Sequence, residues 1–348
     1  MQAKAQSDFR LTVLNPGGRD EAQDFPDGAG ETALPHPPTN FHAYAACTRG
    51  SFQRETKSAL EQKTPVLVLL RGDFNSSERA VDALQSAGRF VAVSLKETGL
   101  HQIADQLRNS ARLARFVRIV KKADACLAPT PEAADLYRAV RGNDRAAFIP
   151  TPYPIDDPRW DFSRPVEQRA GIFIGTREWD VPSRNHLAAL IVARRLSEST
   201  GESVTVFDYD GRRGGRLFSE LGFGEKNLRV LTKRVAYPDY LREIARHKIV
   251  LQLDTSFVPG QVAGDVLLCR IPCVGGNGAI DRVGFPETCG HTRSIEELRH
   301  IAQRLLTERE FYQACITKMI PTATQVLGFE TVAQQLATFF GSDRAAKS

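Results

Sequence analysis

Short aliphatic runs alternate with longer amphipathic stretches along most of this chain, and this alternation constrains its fold more than any other feature. Val66 to Leu70 is a continuous apolar run of strand length, and Ser77 to Ala87 has the period of an amphipathic helix. Strands that alternate with helices are typical of mostly parallel sheets covered by helices. The pattern therefore predicts an α/β fold.

The strand and helix series stops at a proline-rich stretch around residues 151–165 and begins again at Gly171. A chain of 348 residues suggests two domains, at ~100–200 residues per domain. We predict two doubly wound Rossmann-like domains facing a cleft, over residues 1–160 and 165–325, with a C-terminal helix and tail over 326–348. Within the first domain, residues 41–62 are predicted to form one helix.

Composition excludes several classes of protein. The chain has 42% hydrophobic and 25% charged residues, which excludes disordered and collagen-like chains, and its net charge of +5 is too small and dispersed to indicate nucleic-acid binding. No aliphatic run approaches the ~20 residues of a membrane span, and Met1 to Arg10 is too polar for a secretory signal. Six scattered cysteines favour reduced thiols. We expect a soluble cytoplasmic protein.

Several catalytic motifs are missing from the sequence. It contains no Gly-x-x-x-x-Gly-Lys-Ser/Thr loop, no Gly-x-Gly-x-x-Gly after a strand, no Gly-x-Ser-x-Gly elbow and no His-Glu-x-x-His helix. These absences disfavour P-loop nucleotidases, dinucleotide enzymes, α/β hydrolases and zinc proteases. They leave α/β enzymes that bind phosphate with loops, helix dipoles and arginines, and the sequence predicts no metal site or cofactor.

A series of motifs in the second half resembles the GT-B glycosyltransferases of the family 4 type. The matching segments, which lie in the family's order over about residues 120–310, are Ala123–Thr130, Phe148–Pro150, Gly171–Arg177, Arg184-Asn185, Asn227–Leu231 with Pro238–Leu241, and Asp265–Val274. The resemblance implies the GT-B fold, with a nucleotide-diphosphate sugar as donor substrate. It also implies that Gly175, Arg177 and Arg184 lie at the donor diphosphate.

Physical chemistry supports the two arginines in this role. A diphosphate carries about two negative charges and is bound well by guanidinium groups and by a helix N-terminus. Arg177 follows a predicted strand, and Arg184 stands at a predicted helix start. The alternative is a pair of surface arginines that form ion pairs with Glu178 and Asp180.

The resemblance places Asp265 where the family holds the donor ribose with its second glutamate, and it places Phe257, eight residues earlier, where the family has its first glutamate. The phenylalanine is a departure that weakens the expectation of a retaining mechanism. For Asp265 the alternative is an acid near a helix N-terminus that stabilises the helix dipole.

The first half offers fewer candidates. Gly18, in Gly17-Gly18-Arg19, follows the first strand where the family's glycine loop approaches the donor; a plain turn is the alternative. Glu97, which follows a strand, and His42, near a helix start, are the candidate catalytic bases, and either could be an ordinary surface residue.

A basic face runs over residues 108–122, where six arginines and lysines share the helical period: Arg108, Arg112, Arg115, Arg118, Lys121 and Lys122. It is either a solvated face with acidic partners such as Asp105 and Asp124 or a surface for anionic lipid. The second case would make the protein peripheral on the inner face of a membrane. Nucleic acid is disfavoured because stacking aromatics are nearly absent from the stretch.

The sequence as a whole predicts a metal-independent glycosyltransferase that moves a sugar from a nucleotide-diphosphate donor to a carbohydrate, lipid-linked or protein acceptor. The alternatives are a glycosyltransferase-like binding or scaffolding subunit that has lost turnover, and a sugar-nucleotide epimerase. The epimerase would need paired carboxylates and histidines, and the sequence shows no such cluster.

Overall fold

A computed structural model describes residues 8–30, 36–176, 179, 181–209, 213–224 and 227–341 of the chain. The chain divides into two compact units. The first comprises residues 1–154 together with 327–348, and the second comprises residues 155–326. Among the described residues, no helix is both long enough and apolar enough to cross a membrane.

The first unit is built on a seven-stranded sheet in the order β2-β3-β1-β4-β5-β6-β7, in which only β2 and β3 pair in antiparallel fashion. Its strands are β1 (Thr12–Leu14), β2 (Gln23–Asp24), β3 (Ser51–Gln53), β4 (Val66–Leu70), β5 (Val91–Leu95), β6 (Ala125–Ala128) and β7 (Ala146–Phe148). Its helices are α1 (Asn40–Cys47), α2 (Thr56–Glu61), α3 (Asn75–Ser86), α4 (Leu100–Leu107), α5 (Ser110–Lys122), α6 (Pro131–Arg141) and α14 (Phe329–Gly341).

The prediction of one helix over residues 41–62 is wrong, because strand β3 lies between α1 and α2. Gly50 makes this strand possible: a Cβ atom at this position would lie 1.9 Å from the carbonyl oxygen of Leu11, so only glycine allows the close approach to β1. The aromatic ring of Phe52 is then buried in the core of the first unit. A local helical period cannot reveal such a contact.

The C-terminal helix α14 packs into the first unit. Its buried residues Val332, Leu336 and Phe340 belong to the same apolar cluster as Leu11 and Tyr44. The ring of Phe340 also contacts Phe9 and Phe90 at centroid distances of 5.7 and 5.5 Å. The chain therefore returns to its first unit after the second unit is complete.

The second unit is built on a five-stranded sheet in the order β10-β9-β8-β11-β12, with every neighbouring pair parallel. Its strands are β8 (Ile172–Ile174), β9 (Val204–Phe207), β10 (Leu228–Leu231), β11 (Ile249–Leu251) and β12 (Cys273–Val274). Its helices are α7 (His186–Thr200), α8 (Arg213–Glu220), α9 (Tyr237–Ile244), α10 (Gln261–Leu268), α11 (Ala279–Gly284), α12 (Ile295–Thr307) and α13 (Arg309–Leu327).

Both sheets contain a topological switch point, where the strand order reverses direction. In the first unit it lies between β1 and β4, and in the second unit between β8 and β11. Loops that leave the carboxyl ends of these strands diverge and open a crevice, which is where doubly wound sheets bind ligands. The residues that follow these four strands are therefore the first place to look for a site.

Candidate functional site

In the second unit, an ion pair joins the two sides of the switch point. Arg184, after β8, donates through Nη1 to Oδ2 of Asp254, which follows β11. The side chain of Arg184 is 17% exposed and that of Asp254 is 5% exposed. The pair is thus mostly shielded from water, so its attraction is screened less than that of a surface pair.

Several further hydrogen bonds fix this pair. The hydroxyl groups of Ser183 and Ser256 lie 2.7 Å apart, and Asn185 donates to the Leu253 carbonyl at 2.9 Å. Oδ1 of Asp254 accepts the Ser256 backbone N–H at 2.8 Å. The short helical turn Pro182–Arg184, which leads into α7, is therefore tied to the loop after β11.

A glycine turn follows β12 beside this loop. Gly275 and Gly276 have φ angles of 85° and 71°, and a Cβ on Gly275 would lie 1.8 Å from the Gln252 carbonyl oxygen. The amide of Gln252 donates to Asp281 at 2.7 Å. Burial raises the pKa of Asp281 well above its ordinary value, and the charge of Asp254 raises it further. This rise in pKa favours the neutral form of the Asp281 carboxyl group.

Phe257, at the position of the resembled family's first glutamate, takes part in local packing. Its backbone N–H donates to Oδ1 of Asn277 at 2.9 Å, and its φ angle is 51°. The guanidinium of Arg282 lies 5.8 Å from the centre of its ring, and the ring of His291 meets it edge to face at 5.9 Å. No carboxylate stands at this point of the loop.

The structure also brings together residues that sequence reasoning did not select. The hydroxyl of Thr176 lies 2.6 Å from Nδ1 of His186, and the His186 ring lies edge to face with Trp179 at 3.8 Å. Burial lowers the pKa of His186 to about 4, so the ring is neutral near pH 7. A ten-residue separation gives no sequence signal for this contact, which depends on how β8 leads into α7.

The predicted donor residues fall in different surroundings. Arg177 lies outside the described residues. Gly175 follows β8, donates its N–H to the Leu251 carbonyl at 3.0 Å, and leaves room for the side chain of Val262. That Gly175 lies at the donor diphosphate stays a prediction.

Asp265 lies within α10 and is fully buried, with an exposed fraction of 0%. Its Oδ1 accepts a hydrogen bond from the Tyr237 hydroxyl at 2.6 Å. A ribose contact therefore requires Asp265 to become accessible, and that role also stays a prediction. Its position in the middle of the helix places it away from the N-terminal turn, where the alternative explanation put it.

In the first unit, two arginines hold the glycine loop at the switch point. Arg71, after β4, donates to the Gly17 carbonyl, and Arg54, after β3, donates to the Gly18 carbonyl at 3.0 Å. Gly18 donates its N–H to the Asn15 carbonyl at 2.9 Å, and a Cβ on Gly18 would collide with the Asn15 side chain. Gly18 is thus part of a tight turn, and its predicted donor contact stays a prediction.

A second ion pair lies beside this loop. Lys96, after β5, donates to Oδ2 of Asp20 at 2.6 Å, and the amide of Asn15 donates to the same oxygen at 2.9 Å. Burial alone would raise the pKa of Asp20, but the hydrogen bond and charge of Lys96 hold it below its ordinary value. Asp20 is therefore ionised near neutral pH.

The two candidate catalytic bases differ sharply. Glu97 is exposed at the carboxyl end of β5, and its Oε2 accepts the amide of Gln102 at 3.1 Å. His42 is buried, with its ring stacked at 3.6 Å on both His36 and Phe52. Burial, followed by the charge of His36, lowers the pKa of His42 to about 3. So low a pKa makes His42 a weak base near neutral pH, which leaves Glu97 as the better of two predicted bases.

The basic face over residues 108–122 lies on α5 and the turn before it. Arg115 and Arg118 both pair with Glu78 of α3, at 3.0 and 3.1 Å, and Lys122 pairs with Asp82 of the same helix at 2.5 Å. Acidic partners thus come from α3, in addition to the Asp105 that pairs with Arg108. Contact with anionic lipid stays a prediction.

Within the described part of the chain, no group of three or more histidine, cysteine, aspartate and glutamate side chains could hold a metal ion.

Comparison with known proteins shows which solved structures share this architecture. No protein-family model matches the chain, and no curated protein matches it significantly in sequence. Solved structures do match. One is an α,α-trehalose 6-phosphate synthase from Burkholderia multivorans, at 11% identity and a TM-score of 0.62, over 98% of this chain and 100% of that one.

Two further structures agree with it. An α-glucosyltransferase in complex with UDP and a 13-mer DNA containing an HMU base matches at 10% identity, over 95% of this chain and 99% of that one, with a TM-score of 0.61. The N-terminal domain of a Candida albicans trehalose-6-phosphate phosphatase matches at 9% identity, over 85% and 74%, with a TM-score of 0.61. At sequence identities this low, the similarity shows a shared fold alone. The two Rossmann-like units of this chain form a GT-B fold, as in glycosyltransferases.

Proposed function

We propose that this protein is a glycosyltransferase that binds a nucleotide-diphosphate sugar at the switch point of its second unit. The observation that carries the proposal is the position of Arg184, which stands at the carboxyl edge of the sheet, directly before α7, in a chain with the GT-B fold. The α-glucosyltransferase of similar fold was solved with UDP, the product that such a donor leaves.

Electrostatics supports a diphosphate at Arg184. The guanidinium group offers planar donors that match phosphate oxygens, and the N-terminus of the fifteen-residue helix α7 adds a positive dipole end. Because Asp254 already pairs with Arg184, an entering phosphate must share or displace one carboxylate oxygen. The pair thus holds the guanidinium in place before the donor arrives, which lowers the entropic cost of binding.

The proposed reaction breaks the bond between the anomeric carbon and the β-phosphate oxygen of the donor. The acceptor hydroxyl forms the new glycosidic bond and gives its proton to a base, and the nucleotide diphosphate leaves with the bonding electron pair. Arg184, together with Arg177, would stabilise the negative charge that develops on the leaving group. Glu97 is the proposed base, because it is an exposed carboxylate at a strand end.

A nucleotide screen tests the donor site. We expect one of the diphosphates UDP, GDP, ADP and dTDP, rather than the monophosphate CMP, to raise the melting temperature of the wild-type protein, since a ligand at ~100 times its Kd adds ~2.7 kcal/mol of stability. Arg184→Ala should abolish the shift. Arg194→Ala is the matched control, because Arg194 lies on α7 but pairs with the exposed Glu198. A flat response to all five nucleotides, or equal losses in both variants, would contradict the donor site.

A second candidate function is a binding subunit without turnover. Phe257 favours it, because its aromatic ring and its contacts with Arg282 and His291 occupy the place of a family glutamate. Slow hydrolysis of the donor separates the two candidates. Once the nucleotide is known, a transferase should release free sugar from the matching nucleotide sugar over hours, whereas a binding subunit should bind it and leave it intact.

A further inference from the structure

A basic pocket lies at the opposite edge of the second sheet from the proposed donor site. It occupies about 570 Å³ at the amino ends of β8, β9 and β10. Arg164, Arg229 and Arg246 line it, together with the hydroxyl-bearing Ser203 and Thr205. Its volume lies within the ~300–1,000 Å³ of small-molecule sites.

The charges around this pocket do not balance. Arg229 donates to Glu243 at 2.7 and 3.4 Å, and Arg246 donates to the same carboxylate at 3.4 Å. One carboxylate therefore lies between two guanidinium groups, and Arg164 adds a third. These four described residues thus carry three positive charges and one negative charge. A dianion would neutralise the excess.

The backbone that carries Arg164 is held rigidly. Arg169 is buried, and its Nε and Nη2 donate to the Arg164 carbonyl at 2.9 and 2.6 Å. Its Nη1 donates to the Arg270 carbonyl at 2.8 Å and lies 3.0 Å from the Tyr312 hydroxyl. These buried contacts fix one wall of the pocket, so little ordering would accompany binding there.

The polar floor of the pocket is uncharged. Nδ1 of His247 lies 3.0 Å from the Glu243 carbonyl and therefore carries a proton, because a carbonyl only accepts. Its Nε2 then accepts the Thr205 hydroxyl proton at 2.9 Å. Burial lowers the pKa of His247, which keeps this arrangement neutral. The arginines are thus the charged groups that a ligand meets.

We propose that this pocket binds a small phosphorylated anion, a diphosphate or phosphomonoester with two negative charges, through Arg229, Arg246 and Arg164. Paired guanidinium groups bind phosphate oxygens in planar, bidentate geometry, which a single lysine cannot offer. The site is distinct from the switch point, since the amino and carboxyl ends of parallel strands lie at opposite edges of the sheet. It does not depend on the proposed transferase activity.

Inorganic pyrophosphate is the probe, titrated calorimetrically into the full chain at constant ionic strength. The titration is repeated in Arg184→Ala, which removes the proposed donor contact and so separates the two sites. We expect binding to survive Arg184→Ala and to weaken about tenfold in both Arg229→Gln and Arg246→Gln, since each loses one charge-assisted contact. Hydrogen exchange should show protection around residues 164–170 and 243–247 when pyrophosphate binds.

Two further variants sharpen the test. Arg242→Gln is the matched control, because Arg242 lies on α9 next to Glu243 but pairs with Asp239, and we expect its Kd to equal that of the wild type. Glu243→Gln removes the competing carboxylate and should tighten binding severalfold. The proposal is overturned if pyrophosphate does not bind to Arg184→Ala, if Arg242→Gln weakens binding as much as Arg229→Gln, or if Glu243→Gln weakens it.

Discussion

The two switch points of the molecule are each crossed by an arginine, yet the partners of these arginines differ. In the first unit, Arg71 donates to a backbone carbonyl, that of Gly17, which carries no formal charge. In the second unit, Arg184 pairs with the Asp254 carboxylate, which is almost fully buried. An anionic ligand of the second arginine must therefore share or displace a carboxylate oxygen, whereas the Gly17 carbonyl presents no competing charge to a ligand of the first.

The comparison shows that the partner of an arginine determines both how firmly its guanidinium group is oriented and how positive the potential around it is. A carbonyl partner positions a loop while leaving the local potential positive. A buried carboxylate orients the guanidinium strictly but lowers the potential there, so that only a strongly anionic group competes. On the donor-site proposal, we therefore expect the second crevice to be the more selective of the two for phosphate-like charge.

The largest expected effect comes from the glycine turns of the two units. Gly275→Ala combines a φ angle of 85° with a contact of 1.8 Å to a backbone carbonyl, so we expect it to lower the free energy of unfolding by more than ~4 kcal/mol. Gly17→Ala is the matched variant. Gly17 has a similar φ angle of 69°, but a Cβ there would make only an ordinary contact, 3.8 Å from Oγ of Ser76, so its cost should be ~1 kcal/mol.

Urea unfolding at neutral pH measures both variants. Hydrogen exchange would locate the loss in the loops after β11 and β12 for Gly275→Ala, and in the loop after β1 for Gly17→Ala. Equal losses would mean that the φ angle alone determines the cost and that the tight packing of the second turn is unimportant.

Breaking the buried ion pair should have the next largest effect. Asp254→Asn keeps the side-chain shape and the acceptor for the Ser256 N–H but leaves the mostly buried Arg184 without its carboxylate. We expect a loss of ~2–3 kcal/mol, just below the ~3–5 kcal/mol for a fully buried charge that has lost its partner, because Arg184 keeps some contact with water.

Two controls accompany Asp254→Asn in urea unfolding. Glu198→Gln breaks the exposed pair with Arg194 on α7 and should cost less than ~0.5 kcal/mol. If the donor proposal is correct, Asp254→Asn should also bind the nucleotide more tightly, because the phosphate no longer competes with a carboxylate. A stability change as small as that of Glu198→Gln would show that the pair is effectively solvated.

Much of this fold could be predicted from the sequence, since local patterns determine its elements. The strand over residues 66–70 has the bounds of the apolar run, and α3 (Asn75–Ser86) begins and ends within two residues of the amphipathic stretch over 77–87. Strand β3 could not be predicted, since its existence depends on Gly50 approaching Leu11, which is distant in sequence. The packing of α14 on the first unit has the same non-local cause.

The site was harder to predict than the fold. Arg184 could be selected because it precedes a helix, but its partner Asp254 could not, because the strand order that places β11 beside β8 is absent from any local pattern. The same holds for the contact between Thr176 and His186. Resemblance predicts that Asp265 faces a ligand, whereas the structure buries it and gives its Oδ1 a hydrogen bond from Tyr237, at the start of a different helix.

The smallest expected effect concerns the Lys96–Asp20 pair of the first unit, which is half-buried and more exposed than the Arg184–Asp254 pair. The side chains of Lys96 and Asp20 are 21% and 32% exposed, so water screens their attraction. Lys96→Met should cost ~0.5–1 kcal/mol near pH 7, and the exposed Lys57→Met, a control, should cost almost nothing. A loss as large as that expected for Asp254→Asn would remove the contrast between the two units.

The pH dependence of that loss tests its electrostatic origin. Although burial opposes it, Lys96 holds the pKa of Asp20 below the ordinary 3.8, so the folded protein binds this proton less readily than the unfolded chain. The stabilisation is therefore fully present above the ordinary value and is lost as the pH falls through the lowered one. The difference in unfolding free energy between wild type and Lys96→Met should be constant from about pH 7 to about pH 5 and shrink only at more acid pH. A difference that stays unchanged throughout acid titration would assign the effect of Lys96 to packing against the Phe41 ring, 5.9 Å from its ammonium group.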